Sequence, residues 1–480
     1  MRVPWAKIFF GAYLLFLVWA DATTWNPADP DLWHRLTLGE ALWQTGHFPS
    51  GDAFSYLADY QNISDHEWGG ALIFYALFKG IGPSAIVGLK LLSLALTLGL
   101  LALAGLQTRR PTILLAAFYA VVLLALLPSF QSTVRCMIFT HIFLALWLLW
   151  YQMERRGHAV PLYGYIATMV LWANLHGGFA IGLAWLFGIG LVEFSFKGDY
   201  RKWFIRFGLC LLSTLINPFG WQLWTATLRA LFAQRQGFGE WGPVAWWPEV
   251  MSYPGYKLLI VLIVAIFLYR TLSRTWSKVD YSLLVIITAF VCLSITSARH
   301  TSILAAVAGA LLPALFPPEI SFETISRPIL RIGYMALTSL LLLIPLYTPL
   351  IVLSHADEFQ LRYPEISCPV AATAWLKREK LEGKLLVPFN YGSYAMWELR
   401  GKMRVSMDGR YDLVYRPETY RRVDDFYLGR GDWRSLLTAP TPDAILVPRI
   451  DAIYPKLRGE TAWTEAWHDT TDAVFLPRRN

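Results

Sequence analysis

Between positions 29 and 68 the chain collects side chains capable of acid–base chemistry. The run Asp29-Pro30-Asp31-Leu32-Trp33-His34 comes first. It is followed by Gly46-His47-Phe48-Pro49, Asp52-Ala53-Phe54-Ser55-Tyr56 and Asp65-His66-Glu67-Trp68. Carboxylates of this kind can take a proton from an attacking hydroxyl or hold a divalent cation. Asp31 is the first candidate for a general base. Asp29 is the second, as base or metal ligand. Pro30 fixes one backbone angle between them and would hold the pair rigidly. The competing role for Asp31 is structural, because Asp before an apolar run is a good helix N-cap. His34, His66 and Glu67 are candidates for substrate contact. Glu67 could equally do no more than start a helix, where the dipole favours an acid. The Trp and Tyr residues suit an aromatic belt at a membrane edge or a sugar-stacking face.

The elements that must position these residues follow from composition. Only 16% of the 480 residues are charged and 55% are hydrophobic, at a mean hydropathy of +0.41. Soluble chains carry about 25% charged residues, so a purely soluble multidomain enzyme is excluded. Disorder is excluded by 22 Trp, 23 Tyr and 28 Phe. A spanning helix needs about 20 apolar residues. Eleven runs approach this: 6–22, 83–106, 112–128, 137–152, 162–176, 178–195, 204–217, 257–271, 280–297, 301–316 and 331–353. With the N-terminus in the cytoplasm, the inner connections are Thr108-Arg109-Arg110, Glu154-Arg155-Arg156, Lys197 to Lys202, Arg270 to Lys278 and Pro317 to Arg331. All carry Arg or Lys. The acidic loop 21–82, the stretch 218–256 and the tail then lie outside. The net charge of +8 is spread over these connections and forms no single patch, so nucleic acid is not the partner. A cleaved signal peptide ending at Ala20-Asp21-Ala22 is the alternative to an uncleaved first helix. The expected fold is an α-helical polytopic membrane domain over 1–353, including the outer loop, and a small extracytoplasmic α/β domain over 354–480. In the tail, 385–387, 404–406, 444–447 and 473–476 read as strands, and 368–380, 394–399 and 417–427 as helices. Cys136, Cys210, Cys292 and Cys368 suggest neither a disulfide framework nor a CxxC metal site.

Further candidates lie where helices meet the outer side. His176 stands before Gly177 and Gly178, which let backbone or ligand come close. The bland reading is a helix break with a hydrogen-bonded histidine. Arg135, Arg299 and His300 sit at the outer membrane edge. An arginine there can grip a lipid phosphate with two hydrogen bonds, or simply snorkel to headgroups. In the tail, Asp408-Gly409-Arg410 reads either as a turn closed by an Asp–Arg pair or as a place where Arg410 reaches the acceptor or the lipid phosphate.

Together these residues carry a resemblance. An inner N-terminus, one helix, a long outer loop opening on an acidic motif, many helices and an outer tail resemble the GT-C glycosyltransferases. That superfamily includes protein O-mannosyltransferases and the aminoarabinose transferases of lipid A. The pattern D-x-D-x-W-x-H, T-G-x-x-P, D-x-F-S-Y and H-E-W is similar to that of a bacterial group of GT-C-like membrane proteins. It matches here at Asp29, Asp31, Trp33, His34, Thr45, Gly46, Pro49, Asp52, Phe54, Ser55, Tyr56, His66, Glu67 and Trp68. The resemblance implies a transferase that moves a sugar from a polyprenyl-phosphate donor to a glycan, lipid or protein acceptor on the outer face, mostly with inversion. It implies a bilayer-embedded protein, expected in a bacterial inner membrane. Several GT-C enzymes place a second acid in the loop after the third helix. Here Pro128 to Arg135 has none, which favours metal independence over a divalent cation. Two other classes remain open: a transporter or flippase of a lipid-linked substrate, marked by ionisable residues in mid-helix, and a non-catalytic scaffold. Mid-helix charges are few here.

Overall fold

The structure is a computed structural model. It describes residues 5–22, 26–48, 51–60, 63–130, 134–232, 239–247, 252–317, 339 and 361–478. Along the chain, α1 (Trp5–Ala22) is followed by α2 (Pro30–Thr45), α3 (Trp68–Gly80), α4 (Ser84–Leu106), α5 (Ile113–Leu126), α6 (Met137–Arg155) and α7 (Leu162–Leu175). Then come α8 (Phe179–Ser195), α9 (Tyr200–Ser213), α10 (Gln222–Phe232), α11 (Pro254–Leu272), α12 (Lys278–Thr296) and α13 (Thr301–Leu311). Two compact units emerge. One comprises residues 1–26, 87–218 and 234–360; the other comprises 27–86, 219–233 and 361–480.

The ten apolar runs between 6 and 316 are all helices in the structure. The eleventh, 331–353, lies outside the described residues. Among the described residues, three helices are long and apolar enough to cross a bilayer: Ser84–Leu106, Pro254–Leu272 and the continuous stretch Ala298–Leu315. The expected 204–217 helix starts earlier, at Tyr200, because the Asp199 side chain caps it from Lys202 N. In the helical unit, α13 is small and fully buried, and it packs against α5, α6, α11 and α12. The Tyr119 hydroxyl, shared between Leu101 O at 2.8 Å and Gly309 O at 3.0 Å, ties α4, α5 and α13 together. Arg206 grips Glu154 at 2.5 and 2.7 Å and joins α9 to α6.

The second unit contains the α/β fold. After α14 (Val370–Arg378) come β1 (Gly383–Leu386), α15 (Phe389–Glu398), β2 (Met403–Val405), α16 (Tyr411–Val414), α17 (Pro417–Tyr427) and α18 (Ser435–Thr438). The chain ends with β3 (Ala444–Pro448), α19 (Ile453–Arg458), β4 (Trp463–His468) and β5 (Asp472–Pro477). The sheet order is β2-β1-β3-β5-β4. Strands β2, β1 and β3 are parallel, while β5 runs antiparallel to β3 and β4. The central strands read as continuous apolar runs, such as Ala444 to Val447, because both faces are covered.

One expectation is corrected here. The outer loop, assigned by sequence to the helical domain, folds with the tail. Its Phe54-Ser55-Tyr56 segment adds to the edge of β2, with Val405 N donating to Phe54 O at 2.9 Å and Tyr56 N to Val405 O at 3.0 Å. An unpaired edge strand invites such pairing. The loop also supplies α2 and α3, which pack at Gly39. A β-carbon there would lie 2.3 Å from Ala71 O, so only glycine permits the approach. The segment 218–256, read as a loop, contributes α10, whose Arg229 guanidinium lies 4.5 Å from the Tyr60 ring.

Candidate active site

The two aspartates of the first motif divide their roles. Asp29, not Asp31, is the N-cap of α2: it has extended backbone angles and its side chain accepts from Asp31 N at 2.9 Å. Pro30 occupies the first helical position, where its missing N–H costs nothing. Asp29 is buried. Asp31 is thereby released from capping, and its side chain is 42% exposed.

One turn later, His34 lies on the same side of α2. Its Nδ1 is 4.0 Å from Asp31 Oδ1 and 3.4 Å from Ser393 Oγ on α15. Ser393 Oγ in turn accepts from Gly409 N at 2.9 Å. A β-carbon at Gly409 would lie 2.8 Å from Asp31 Oδ1, 2.9 Å from Ser393 Oγ and 3.0 Å from His34 Nδ1. Three polar atoms thus converge where only glycine leaves room. Burial first, and then the charge of Arg35, hold the His34 imidazole well below the ordinary histidine range. It is neutral at physiological pH.

The other members of the Asp-Gly-Arg triplet are held in a buried ion network. Arg410 pairs with Asp52 and Asp408, each at 2.6 Å, and its Nε donates to Asp408 Oδ1 at 2.7 Å. The Tyr415 hydroxyl donates to Asp408 at 2.7 Å. Burial alone would raise the Asp408 carboxyl. The charge and hydrogen bonds of Arg410 outweigh it and hold the group at about 2. Arg410 therefore closes a turn and binds the outer loop to the tail. Its guanidinium is occupied by two carboxylates rather than turned toward a phosphate.

Glu67 and His66 precede α3. Arg35 bridges Asp65 and Glu67, each at 2.6 Å, and is itself buried. Glu67 occupies the N-cap position of α3 without a side-chain capping bond. His66 Nε2 lies 3.9 Å from Glu67 Oε1. Trp33 is fully buried, stacked on Tyr363 at 5.3 Å and edge-on to Tyr394 at 5.0 Å. It is a core residue rather than a sugar-stacking face.

The remaining candidates lie in the helical unit. Arg135 pairs with Glu240 at 2.8 Å, and Arg299 approaches the same carboxylate at 3.9 Å while covering the Trp241 ring at 4.4 Å. Ser129, Arg135, Glu240, Tyr253 and Arg299 line a cavity of about 60 Å³. His300 Nδ1 lies 3.3 Å from Leu293 O. His176 Nδ1 accepts from Gly178 N at 2.9 Å and lies 2.7 Å from Thr140 Oγ1. Its proton therefore resides on Nε2, and the histidine closes the helix break.

Among the described residues, no three His, Cys, Asp or Glu side chains form a group able to hold a metal ion. The carboxylates that would bind a divalent cation are engaged otherwise, Asp29 by its cap and Glu67 by Arg35. Sequence reasoning passed over Ser393, which has no local signature, and quoted Asp52 within a motif without giving it a partner. The latter carried a signal: an Asp in a loop accepts from the backbone two residues on in an Asx turn, here from Phe54 N and also from Ser55 N.

No protein-family model matches the chain, and no curated protein is similar to it in sequence. Solved structures are similar in fold. The oligosaccharyltransferase AglB from Archaeoglobus fulgidus, in complex with an inhibitory peptide and a dolichol-phosphate, aligns with a TM-score of 0.63 at 11% identity, over 92% of this chain and 69% of that one. ArnT from Cupriavidus metallidurans, bound to undecaprenyl phosphate, aligns with a TM-score of 0.57 at 13% identity, over 99% and 98%. The arabinofuranosyltransferase AftD from Mycobacteria aligns with a TM-score of 0.57 at 13% identity, over all of this chain and 40% of that one.

Proposed function

From the premise that the chain has the GT-C glycosyltransferase fold, we propose that it is a membrane glycosyltransferase using a polyprenyl-phosphate-linked sugar. The observation that carries this reading is the partly exposed Asp31 carboxylate in a turn whose neighbours Asp29, Leu32, Trp33 and His34 are buried. An acceptor hydroxyl attacks the anomeric carbon from the face opposite the phosphate. Asp31 takes the hydroxyl proton as the new C–O bond forms. The bond from the anomeric carbon to the phosphate oxygen breaks, and polyprenyl phosphate departs with the electron pair. Configuration inverts. Such a base contributes about 10²–10⁴-fold. No step is assigned to a divalent cation.

In the helical unit, Arg135 and Arg299 around Glu240 leave an excess of positive charge suited to a lipid phosphate. The basic inner connections support an orientation with the N-terminus cytoplasmic and the C-terminal region outside, which suits a bacterial inner membrane.

The test uses membranes enriched in the protein, with native acceptors and a panel of radiolabelled polyprenyl-phosphate sugars. Freed polyprenyl phosphate and labelled product are both followed. Asp31→Asn is expected to abolish transfer while leaving expression and thermal unfolding unchanged. Near-normal turnover in that variant would sink the assignment. Arg299→Glu is expected to weaken donor affinity; an unchanged donor KM would instead indicate snorkelling.

A further inference from the structure

We propose that His34 is the positioning residue of Asp31: its Nδ1–H, braced from the C-terminal region by Ser393 and Gly409, orients the Asp31 carboxylate toward the acceptor. This rests on the role of Asp31 as base.

The tautomer follows from what surrounds the ring. On the Nδ1 side stand two oxygens, Ser393 Oγ at 3.4 Å and Asp31 Oδ1 at 4.0 Å. On the other side, Nε2 is buried and finds no hydrogen-bond partner among the described residues. An orphaned buried N–H is rarer and more costly than an orphaned acceptor. The proton therefore belongs on Nδ1, facing both oxygens. Charged groups around the ring are Arg35, Glu67, Asp408 and Arg410, and the first three already have ion-pair partners, as does Arg410. The Ser393 oxygen is fixed by Gly409 N–H at 2.9 Å. The 4.0 Å separation is longer than a hydrogen bond. Catalytic hydrogen bonds are often long before substrate arrives and tighten in the complex. The absent Cβ at Gly409 leaves Asp31 the space for that movement.

The experiment compares His34→Asn with His34→Gln in the full chain. An Asn side chain presents its amide where Nδ1 stands, whereas Gln presents it where Nε2 stands. Two readouts are taken: the kcat and KM for transfer, and the infrared carboxylate stretch of Asp31, assigned by subtracting the Asp31→Asn spectrum. That band moves with hydrogen bonding and needs no turnover. His34→Gln is expected to lower kcat on the order of 10²-fold with donor KM unchanged, the cost of misplacing a group by about 1 Å. It should also shift the band, while His34→Asn restores both. Ser393→Ala provides a second variant. It should shift the band in the same direction and add nothing in the His34→Gln background. A His34→Gln chain with the native band and native kcat overturns the proposal and leaves glycosyl transfer standing. An unmodified chain with no turnover on any donor overturns the transfer reading instead, and the band shift then still reports the His34–Asp31 link.

Discussion

Arg410 shows how a pair read locally can carry a second, distant partner. Its position between a strand and a helix, next to glycine, suggested either a turn or a phosphate contact. The two carboxylates that claim it lie at Asp408, visible next to it, and at Asp52, which no local pattern connects to it. Removing one partner of a buried charge network costs about 3–5 kcal/mol. Arg410→Met is therefore expected to lower the thermal unfolding temperature sharply, and the Asp52→Asn, Asp408→Asn, Arg410→Met triple variant to recover part of that loss. Activity loss in Arg410→Met without a stability loss would show that it contacts substrate instead. Gly409→Ala should behave differently. Its methyl group would press on Asp31, Ser393 and His34, so turnover is expected to fall more than stability. At this scale, Asp31, Asp29 and His34 were legible because the acidic motif is local. The assignment of the cap to Asp29 was not, because two aspartates flanking a proline compete for it and only backbone angles decide.

At the scale of elements, long apolar runs were legible because spanning helices need length and little else. Four of the five strands were legible, three of them as apolar segments and β2 only as a short run around Val405. Strand β4, Trp463–His468, has one buried residue, Trp463, alternates partly buried and exposed positions after it, and carries Glu465 and His468, so it reads as a surface segment until β5 pairs with it. The sheet also carries a pH dependence. Asp472, at the start of β5, accepts from the Tyr391 hydroxyl of α15 at 2.9 Å. Burial raises its carboxyl to about 6. Burial, then the nearby Asp472 charge, raise Asp451 to about 6. An unfolded aspartate titrates near 3.9. The folded state thus holds these protons more tightly, and the stability they add is complete below about pH 4 and is lost as pH rises through 6. Asp408 acts in the opposite sense, stabilising above about pH 4 and losing that contribution as pH falls toward 2. The full chain is expected to unfold at a lower temperature at pH 7 than at pH 5, and Asp472→Asn to flatten that slope. A slope unchanged in the variant would show that other groups set it.

For the whole molecule, the division into helices first and a polar tail last was legible, but the membership of the outer loop was not. Loop 21–82 looked like part of the helical domain because it is flanked by helices. It folds with the tail because its edge strand, its Asp52 and its α2 find their partners there. Residues 361–480 alone would expose the β2 edge and the apolar surface covered by Phe54 and Leu57. A fragment of 361–480 is therefore expected to melt at a lower temperature than the same fragment joined to residues 27–86. Equal melting temperatures would show that the tail is autonomous. The Ser393–His34 contact spans 359 residues of sequence. During synthesis at about 5–20 residues per second, the stretch that carries Asp31 emerges roughly 20–70 s before the segment that completes its surroundings. A growing chain therefore carries Asp31 and His34 for that interval before Ser393 and Gly409 exist to complete their surroundings.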